Sequence, residues 1–249
     1  MTLQGSKPVV IIQARMASTR LPGKMMMELA EKALIDWVVE SAKAIKNARS
    51  IVVATTANEE DSSLANHIEQ FGVNCYRGSS EDVLDRFYNA ALEYDADPII
   101  RLCGDSPLVS SEYIDQMIER HIKTGSDLTH GNTGAPLGTA GEVISFTALK
   151  TMHDNAKSSY QREHVTPYIH EHPAQFKITT PNAPDWLRCA HRLTIDEVAD
   201  LKMFQMLLRE LQLKKLRCDL KNAIHVLSKR PDIAEINRAV IQRNWRHEK

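Results

Sequence analysis

The 249-residue sequence lacks the long apolar runs and the excess of one charge that mark membrane and nucleic-acid-binding proteins. No stretch approaches the roughly 20 apolar residues that a membrane span requires, and Met1 to Pro8 contains no basic segment followed by an apolar run. Lysine and arginine number 31 against 32 acidic residues, so the net charge of -1 provides no global basic field for a nucleic-acid backbone. We therefore expect a cytoplasmic protein that binds neither a membrane nor a nucleic acid.

Cysteine is also scarce, and the cysteines present are not paired in sequence. Cys75, Cys103, Cys189 and Cys218 lie far apart and form no C-x-x-C motif. This spacing argues against a disulfide framework and against a zinc ribbon. The sequence therefore predicts four reduced, buried thiols in a soluble globular protein.

Short β-branched runs alternate with helical patterns in the first half of the chain. Strands are predicted at 8–12, 51–54, 73–76 and 98–102, and the intervening apolar residues recur at three-to-four spacing over 34–45 and 83–94. Strand–helix–strand repetition implies an α/β fold with a doubly wound, mostly parallel sheet and helices on both faces. In such sheets ligands bind beyond the carboxyl ends of the strands.

Glycine and proline interrupt this pattern from about 126 to 188, which predicts an inserted small α+β lobe. Its predicted strands are 142–146 and 176–179, and its predicted helices are 148–155 and 159–170. A strand at 192–195 is then expected to return to the main sheet, followed by C-terminal helices over about 197–247. We expect one domain over 1–249.

The loop after the first strand, residues 13–24, carries the strongest functional pattern. Arg15, Arg20 and Lys24 lie within ten residues, beside the hydroxyls of Ser18 and Thr19. Arginine offers forked donors to phosphate and lysine adds a compact positive charge, so a triphosphate is the expected ligand. The alternative is a solvated polar loop. The phosphate loops of P-loop NTPases and of dinucleotide-binding dehydrogenases are absent from the sequence.

Two aspartates follow predicted strands at the same edge of the sheet. Asp105 comes directly after the fourth strand, and Asp196 directly after the predicted returning strand. Mg²⁺ commonly takes one or two protein carboxylates together with substrate phosphate oxygens and waters. The pair is therefore a candidate magnesium site; the alternative is that Asp105 is a turn residue and Asp196 a helix cap.

Several motifs resemble one family over nearly the whole chain. Residues 10–24 resemble the nucleotide loop of the cytidylyltransferases that activate 3-deoxy-manno-octulosonate and the acylneuraminates, and are closer still to the spore coat polysaccharide biosynthesis branch. The similarity continues in order through 76–86, 101–108, 162–169, 192–196, 229–231 and 235–237. The resemblance implies a nucleotide-diphospho-sugar transferase-like sheet and a Mg²⁺-dependent enzyme that moves CMP from CTP onto a small acidic, sugar-like acceptor, releasing pyrophosphate.

The resemblance also implies roles for individual residues. Nucleotide contacts are expected from Gln13, Ala14, Arg15, Ser18, Thr19, Arg20, Lys24, Arg77, Ser79, Arg86 and Gly104. Catalytic roles are expected for Arg15, Lys24, Asp105 and Asp196, the two aspartates as metal ligands. Acceptor binding is expected from Glu142, Arg162, Glu163 and His164.

The stretch 136–142 departs from the pattern of the resembled branch, which leaves the acceptor open. A 2-keto-3-deoxy sugar acid is the leading class, with a sugar phosphate, polyol phosphate or phosphonate in reserve. The alternatives for the protein are a nucleotide-sugar-dependent glycosyltransferase and a non-catalytic nucleotide-binding protein of the same fold. Similar enzymes often form homodimers through the lobe, so a homodimer is expected, with Leu137, Ile144 and Phe146 as candidate contacts.

Overall fold

A seven-stranded sheet organises the residues that the structure, a computed structural model, describes: 5–131 and 134–242. The strands are β1 (Val9–Gln13), β2 (Glu28–Leu29), β3 (Lys32–Ala33), β4 (Ser50–Thr56), β5 (Asn74–Gly78), β6 (Ile99–Cys103), β7 (Leu128–His130), β8 (Glu142–Ile144) and β9 (Ile178–Thr179). The order in the large sheet is β5-β4-β1-β6-β8-β7-β9, while β2 and β3 form a separate antiparallel pair.

Strand β1 lies between β4 and β6 and pairs parallel with both. Its last residue, Gln13, stands opposite Ala54 on one side and Cys103 on the other, so the first loop leaves the sheet beside the ends of its two neighbours. Within the large sheet, β8 pairs antiparallel with both β6 and β7. The predicted α/β class with a mostly parallel sheet is confirmed.

Helices cover both faces of the sheet. They are α1 (Leu34–Lys43), α2 (Ser62–Gln70), α3 (Val83–Glu93), α4 (Ser111–Thr124), α5 (Phe146–Asn155), α6 (Ser159–His164), α7 (Pro167–Glu171), α8 (Val198–Leu213), α9 (Leu220–Lys229) and α10 (Pro231–Ala234). Alternate residues of β1 point to opposite faces. Val10 and Ile12 belong to the core formed with α1, α4 and α8, whereas Val9 and Ile11 belong to the core formed with α3 and α5. Burial on both faces explains why β1 is apolar throughout.

The segment 126–188 extends the large sheet through β7, β8 and β9, and its described residues form no separate sheet. The predicted single helix over 159–170 is instead two short helices, α6 and α7, because the helical conformation is interrupted at Val165. Val165 has a φ of 70°, outside the helical region, and Pro167 disfavours helical backbone at the residue before it. The break places the end of α6 at the ligand edge of the sheet.

The predicted strand at 192–195 is wrong: over the described residues, the only β pairing of this segment is one isolated bridge between Arg192 and Leu137. Residues 192–196, which we call the crossing segment, pass the edge of the sheet next to Gly138. A Cβ added to Gly138 would lie 2.4 Å from the carbonyl oxygen of Leu193. Gly138 also has a φ of 86°, which favours glycine. Helix α8 begins at Val198, and residues 243–247 of the predicted C-terminal helices lie outside the described residues.

Two expectations about exposed and buried side chains need correction. The four cysteines are free, as predicted, but they are partly rather than fully buried. Ile144, a candidate dimer contact, is 0% exposed in the protomer core, whereas Leu137 is 39% exposed. Over the described residues, none of the helices combines the length and apolarity that crossing a bilayer would need.

Candidate active site

The loop that follows β1 is held by buried residues at its end and by a tight turn. Leu21 and Met25 are buried on either side of Lys24, which fixes the backbone from which the lysine side chain leaves. Gly23, with a φ of 72°, turns the chain back so that its N–H donates to the carbonyl of Met16 at 2.9 Å. The loop therefore presents Lys24 from a defined position.

A buried carboxylate that the sequence reasoning missed ties this loop to the neighbouring strand. Asp61 is 0% exposed and accepts a hydrogen bond from the backbone N–H of Met16 at 2.6 Å and another from the hydroxyl of Thr56. Its position five residues beyond the end of β4 is the one sequence signal that it carries. Asp61 positions the first half of the loop, next to Arg15.

Gly104 allows the loop to approach the end of β6. A Cβ at this position would lie 2.8 Å from the sulfur of Met25 and 3.0 Å from the carbonyl oxygen of Gln13. The N–H of Gly104 donates to that same oxygen at 2.8 Å. Any larger residue in place of Gly104 would push the loop away from the next residue in the chain, Asp105.

A cleft opens where this loop meets the ends of β1 and β6 and the helices α3 and α6. Residues predicted to bind nucleotide, acceptor or metal that line it are Gln13, Ala14, Arg15, Ser18, Thr19, Arg20, Lys24, Arg86, Gly104, Asp105, Glu163 and His164. Four of these carry positive charges, so the cleft has a local cationic cluster that could bind a polyanion although the net charge of the chain is -1. Val83 and Cys103, which were not predicted, also line the cleft.

Lys24 brings the two predicted aspartates together. Its ammonium lies 3.2 Å from Oδ2 of Asp105 and 3.1 Å from Oδ1 of Asp196, and it donates to the carbonyl of Ile195 at 2.8 Å. The backbone supports this approach, because the N–H of Ile195 donates to the carbonyl of Asp105 at 2.8 Å. Residues 91 positions apart in the chain therefore face one nitrogen atom.

Asp196 is surrounded by positive charge. Besides Lys24, the guanidinium of Arg20 lies 3.2 Å from its Oδ1 and that of Arg192 lies 2.8 Å from its Oδ2. Burial of this carboxyl opposes its ionisation, but the charges of Lys24, Arg20 and Arg192 outweigh that effect and hold the pKa of Asp196 below its usual value. Asp196 is therefore an anion at neutral pH.

Arg192 and the crossing segment are in turn held by Asp200, which is 0% exposed. Its carboxylate accepts from Nε of Arg192 at 2.8 Å, from the backbone N–H groups of Asp196 and Glu197 at 3.0 Å each, and from Nδ2 of Asn237 at 2.9 Å. The sequence reasoning missed both Arg192 and Asp200. Arg192 lies outside the helices and strands, and Asp200 lies in the first turn of α8, where it carries no motif of its own.

Arg15 and Arg86 form a second cationic region of the cleft. Arg86 is 2% exposed, and its Nη1 donates to the carbonyl of Ser79 at 2.7 Å, while its buried Nε has no hydrogen-bond partner among the described residues. Burial, followed by the like charge of Arg15, lowers the pKa of the Arg86 guanidinium to about 10. A bound anion would offset both effects by placing a negative charge beside the two guanidinium groups.

A sequence model of the cytidylyltransferase family matches residues 9–240. The chain belongs to the cytidylyltransferase family. It is 41% identical over 241 residues to an uncharacterized protein of Methanocaldococcus jannaschii, covering 96% of this chain and 98% of that one. It is 38% identical over 230 residues to the spore coat polysaccharide biosynthesis protein SpsF of Bacillus subtilis, covering 90% and 95%. A solved cytidylyltransferase structure from Leptospira borgpetersenii serovar Hardjo-bovis matches with a TM-score of 0.85 at 28% identity, covering 95% of this chain and 100% of that one.

In this family member, two residues predicted to contact the nucleotide do not line the cleft. The guanidinium of Arg77 donates to the carbonyls of Thr56 and Asn58 at 3.1 and 2.7 Å and so fastens the segment after β4. The hydroxyl of Ser79 accepts from the N–H of Asp82 at 3.0 Å, at the start of α3. Both residues therefore contact the protein rather than the cleft.

Two of the four predicted acceptor residues also have partners inside the protein. Arg162 pairs with Asp82 at 2.6 Å, which joins α6 to the N-cap of α3. Glu142 pairs with Arg101 at 2.6 Å. Neither residue is among those that line the cleft, and their predicted acceptor roles stay predictions, whereas Glu163 and His164 line it.

Arg101, a charged residue in the middle of an apolar strand, orients Gln13. Its Nη1 faces Glu142, and its Nε and Nη2 donate to Oε1 of Gln13 at 3.2 and 3.0 Å. Because a guanidinium can only donate, the carbonyl of Gln13 must face Arg101, which turns the amide N–H groups of Gln13 the other way. An arginine within an apolar run was the sequence signal for this buried pair.

The donor set fits a magnesium ion. Over the described residues, no cluster of three or more histidine, cysteine or acidic side chains has the geometry of a metal site. Asp105 and Asp196 nevertheless face a common point, and Mg²⁺ usually takes one or two protein carboxylates and completes its shell with substrate phosphates and water. These two residues would hold the ion.

Proposed function

We propose that the chain transfers CMP from CTP to a small acidic, sugar-like acceptor and releases pyrophosphate. The observation that supports this best is the convergence of Asp105 and Asp196 on Lys24 at the edge of a cleft that also contains Arg15, Arg20 and Arg86. Such a site offers cations to a triphosphate and two carboxylates to its metal. Membership of the cytidylyltransferase family supports CTP as the donor.

In the proposed reaction an acceptor oxygen attacks the α-phosphorus of CTP, a new P–O bond forms, and the bond to pyrophosphate breaks in line. Arg15 and Arg86 bind and orient phosphate groups, and Arg20 and Lys24 add positive charge at the other end of the loop. Magnesium, when bound, neutralises charge on the triphosphate and on the leaving pyrophosphate. The proton of the acceptor hydroxyl is released to solvent. Positioning and electrostatics can account for most of such a reaction.

No covalent nucleophile from the protein takes part in this proposal. Cys103 lines the cleft, but burial is the main effect that raises the pKa of its thiol, to about 12. A thiol with that pKa is almost entirely protonated at neutral pH and is a poor nucleophile. Direct transfer from CTP to the acceptor is therefore the favoured route.

The acceptor end of the cleft is assigned to Glu163 and His164, which α6 brings opposite the nucleotide loop. A 2-keto-3-deoxy sugar acid is the leading acceptor class. The similarity to a spore coat polysaccharide biosynthesis protein supports a role in making a surface polysaccharide or glycoconjugate.

The test is nucleotide selectivity, first in binding and then in turnover. We expect CTP to bind at least about tenfold more tightly than UTP, ATP or GTP, because a mismatched base leaves buried polar groups without partners. Calorimetry with each nucleotide measures this, and pyrophosphate release over a panel of sugar acids then identifies the acceptor. Equal affinity for all four nucleotides, or release of a nucleoside diphosphate from nucleotide sugars, would contradict the proposal.

A further inference from the structure

The ammonium of Lys24 has no donor left for a phosphate. A lysine ammonium has three N–H donors. Its neighbours at hydrogen-bonding distance are Asp105, Asp196 and the carbonyl of Ile195, at 3.2, 3.1 and 2.8 Å. The side chain is 9% exposed, so solvent has little access to it. Lys24 can therefore contact a triphosphate only by giving up at least one of these partners.

The same contacts place a positive charge where a metal ion would be held. Asp105 and Asp196 offer one oxygen each toward the ammonium of Lys24. The carboxylate of Asp196 is further compensated by Arg20 on Oδ1 and Arg192 on Oδ2. A divalent cation that arrives alone meets a carboxylate pair whose charge is already matched and a like charge at its centre.

Phosphate changes this balance. The cleft that contains Lys24 also contains Arg15 and Arg86, and Arg86 has a buried Nε without a hydrogen-bond partner among the described residues. A triphosphate bound there brings oxygens of high negative charge within reach of the loop. Charge-assisted hydrogen bonds to phosphate can replace those that Lys24 makes to the aspartates.

We propose that Lys24 blocks the metal position: its ammonium stays hydrogen-bonded to Asp105 and Asp196 until a nucleotide phosphate draws it away. Metal affinity is then low in the free protein and becomes high only when the triphosphate is present. This inference rests on the proposed function, because a nucleotide phosphate is the group that releases Lys24. It assigns to Lys24 a second role, the exclusion of metal from the empty site.

The decisive experiment measures metal binding without any nucleotide. Mn²⁺, a paramagnetic substitute for Mg²⁺, is titrated into the nucleotide-free protein and the free ion is quantified by electron paramagnetic resonance. We expect Lys24→Gln and Lys24→Met to bind Mn²⁺ at least about tenfold more tightly than the parent, because each removes a like charge a few ångströms from the ion. Lys150→Met, which removes an exposed lysine paired with Asp154 on α5, is the matched control and should behave as the parent does.

Two substitutions are made so that the test remains decisive if one of the variants does not fold. Lys24→Gln keeps two N–H donors for the three acceptors that surround the ammonium, whereas Lys24→Met keeps none, so Lys24→Gln decides the question if Lys24→Met does not fold. Unchanged or weaker Mn²⁺ binding by folded Lys24→Gln overturns the proposal. Loss of CTP selectivity in the parent would instead contradict the proposed function, and calorimetry in the presence of a chelator reads that separately.

Discussion

Replacing Asp196 with asparagine should weaken both the fold and the reaction, by different amounts. Asparagine keeps the size of the side chain and one acceptor oxygen, but it removes the negative charge that faces Lys24, Arg20 and Arg192. In the free protein the change leaves three cations near a neutral amide. In the complex with CTP it removes one of the two carboxylates proposed to hold the metal.

The cost in stability follows from what remains around the three cations. Removing one partner of a buried ion pair typically costs about 3–5 kcal/mol when the other charge is left uncompensated. Here each cation keeps a second acidic partner: Asp105 for Lys24, Glu197 for Arg20 and Asp200 for Arg192. We therefore expect a smaller loss, roughly 1.5–3 kcal/mol, the range of a hydrogen bond to a charged group. A domain stable by about 5–15 kcal/mol survives this.

Urea unfolding followed by circular dichroism measures the difference, with Asp185→Asn as a control at an aspartate whose side chain is 96% exposed. Since the folded pKa of Asp196 lies below its unfolded value, its contribution is fully present above about pH 4 and is lost as the pH falls through the folded pKa. The gap between parent and variant should therefore close in acid.

Asp196→Asn should raise the free-energy barrier of the reaction by more than it lowers the free energy of unfolding. Removal of one preorganised electrostatic element commonly costs on the order of 10²–10³ in turnover. Pyrophosphate release measured against Mg²⁺ concentration tests this. A folded Asp196→Asn variant with the stability, turnover and metal dependence of the parent would refute the two-aspartate site and leave Asp196 a residue of the crossing segment only.

Two further substitutions test how Asp196 is positioned. Gly138→Ala should destabilise the protein and lower metal-dependent turnover, because its Cβ would lie 2.4 Å from the carbonyl oxygen of Leu193 in a backbone with a φ of 86°. Thermal unfolding measures the first effect and pyrophosphate release against Mg²⁺ concentration the second, and a variant that behaves as the parent does in both would show that the backbone is not constrained there. Asp200→Ala should cost at least about 2 kcal/mol in urea unfolding, since it removes the acceptor of the backbone N–H groups of Asp196 and Glu197, and a loss under about 1 kcal/mol would contradict the role assigned to it.

The sheet was predictable because its signal is local. Strands β1 and β4 are short apolar, β-branched runs because both of their faces are buried, and amphipathic helices separate the strands of the first half of the chain. The position of the loop at 13–24 followed from the same rule, since a loop after a parallel strand lies at the ligand edge. Apolar runs for the strands, and apolar residues at three-to-four spacing for the helices, were sufficient for both predictions.

The partners of charged side chains were not predictable in this way. Arg77, Arg162 and Glu142 were assigned to ligands from motif similarity, and the structure gives each of them contacts within the protein. A sequence places a charge on an element but does not show which way a long side chain turns. Conversely, Asp61 and Asp200 have no motif of their own, and their importance comes from backbone N–H groups that approach them only in the folded chain.

The predicted strand at 192–195 failed for a related reason. Leu193 and Ile195 are buried and alternate with polar residues, which is typical of a strand, but burial here comes from crossing the sheet edge and not from pairing within it. One bridge to Leu137 and the hydrogen bond from Ile195 to Asp105 replace a ladder. Thr194 and Asp196 are buried as well, so the alternation of apolar and polar residues does not correspond here to one buried and one exposed face.

The two buried aspartates at the start of α8 divide the work of the site. Asp200 is fully buried, and its carboxylate holds Arg192, Asn237 and the backbone N–H of Asp196, none of which lines the cleft, so a bound substrate would not compete for these hydrogen bonds. Asp196 contacts three cations, two of which, Lys24 and Arg20, lie in the cleft where phosphate is expected. Its partners can therefore change while its backbone stays fixed by Asp200. The proposed replacement of Lys24 by a metal ion would therefore leave the backbone of Asp196 in place.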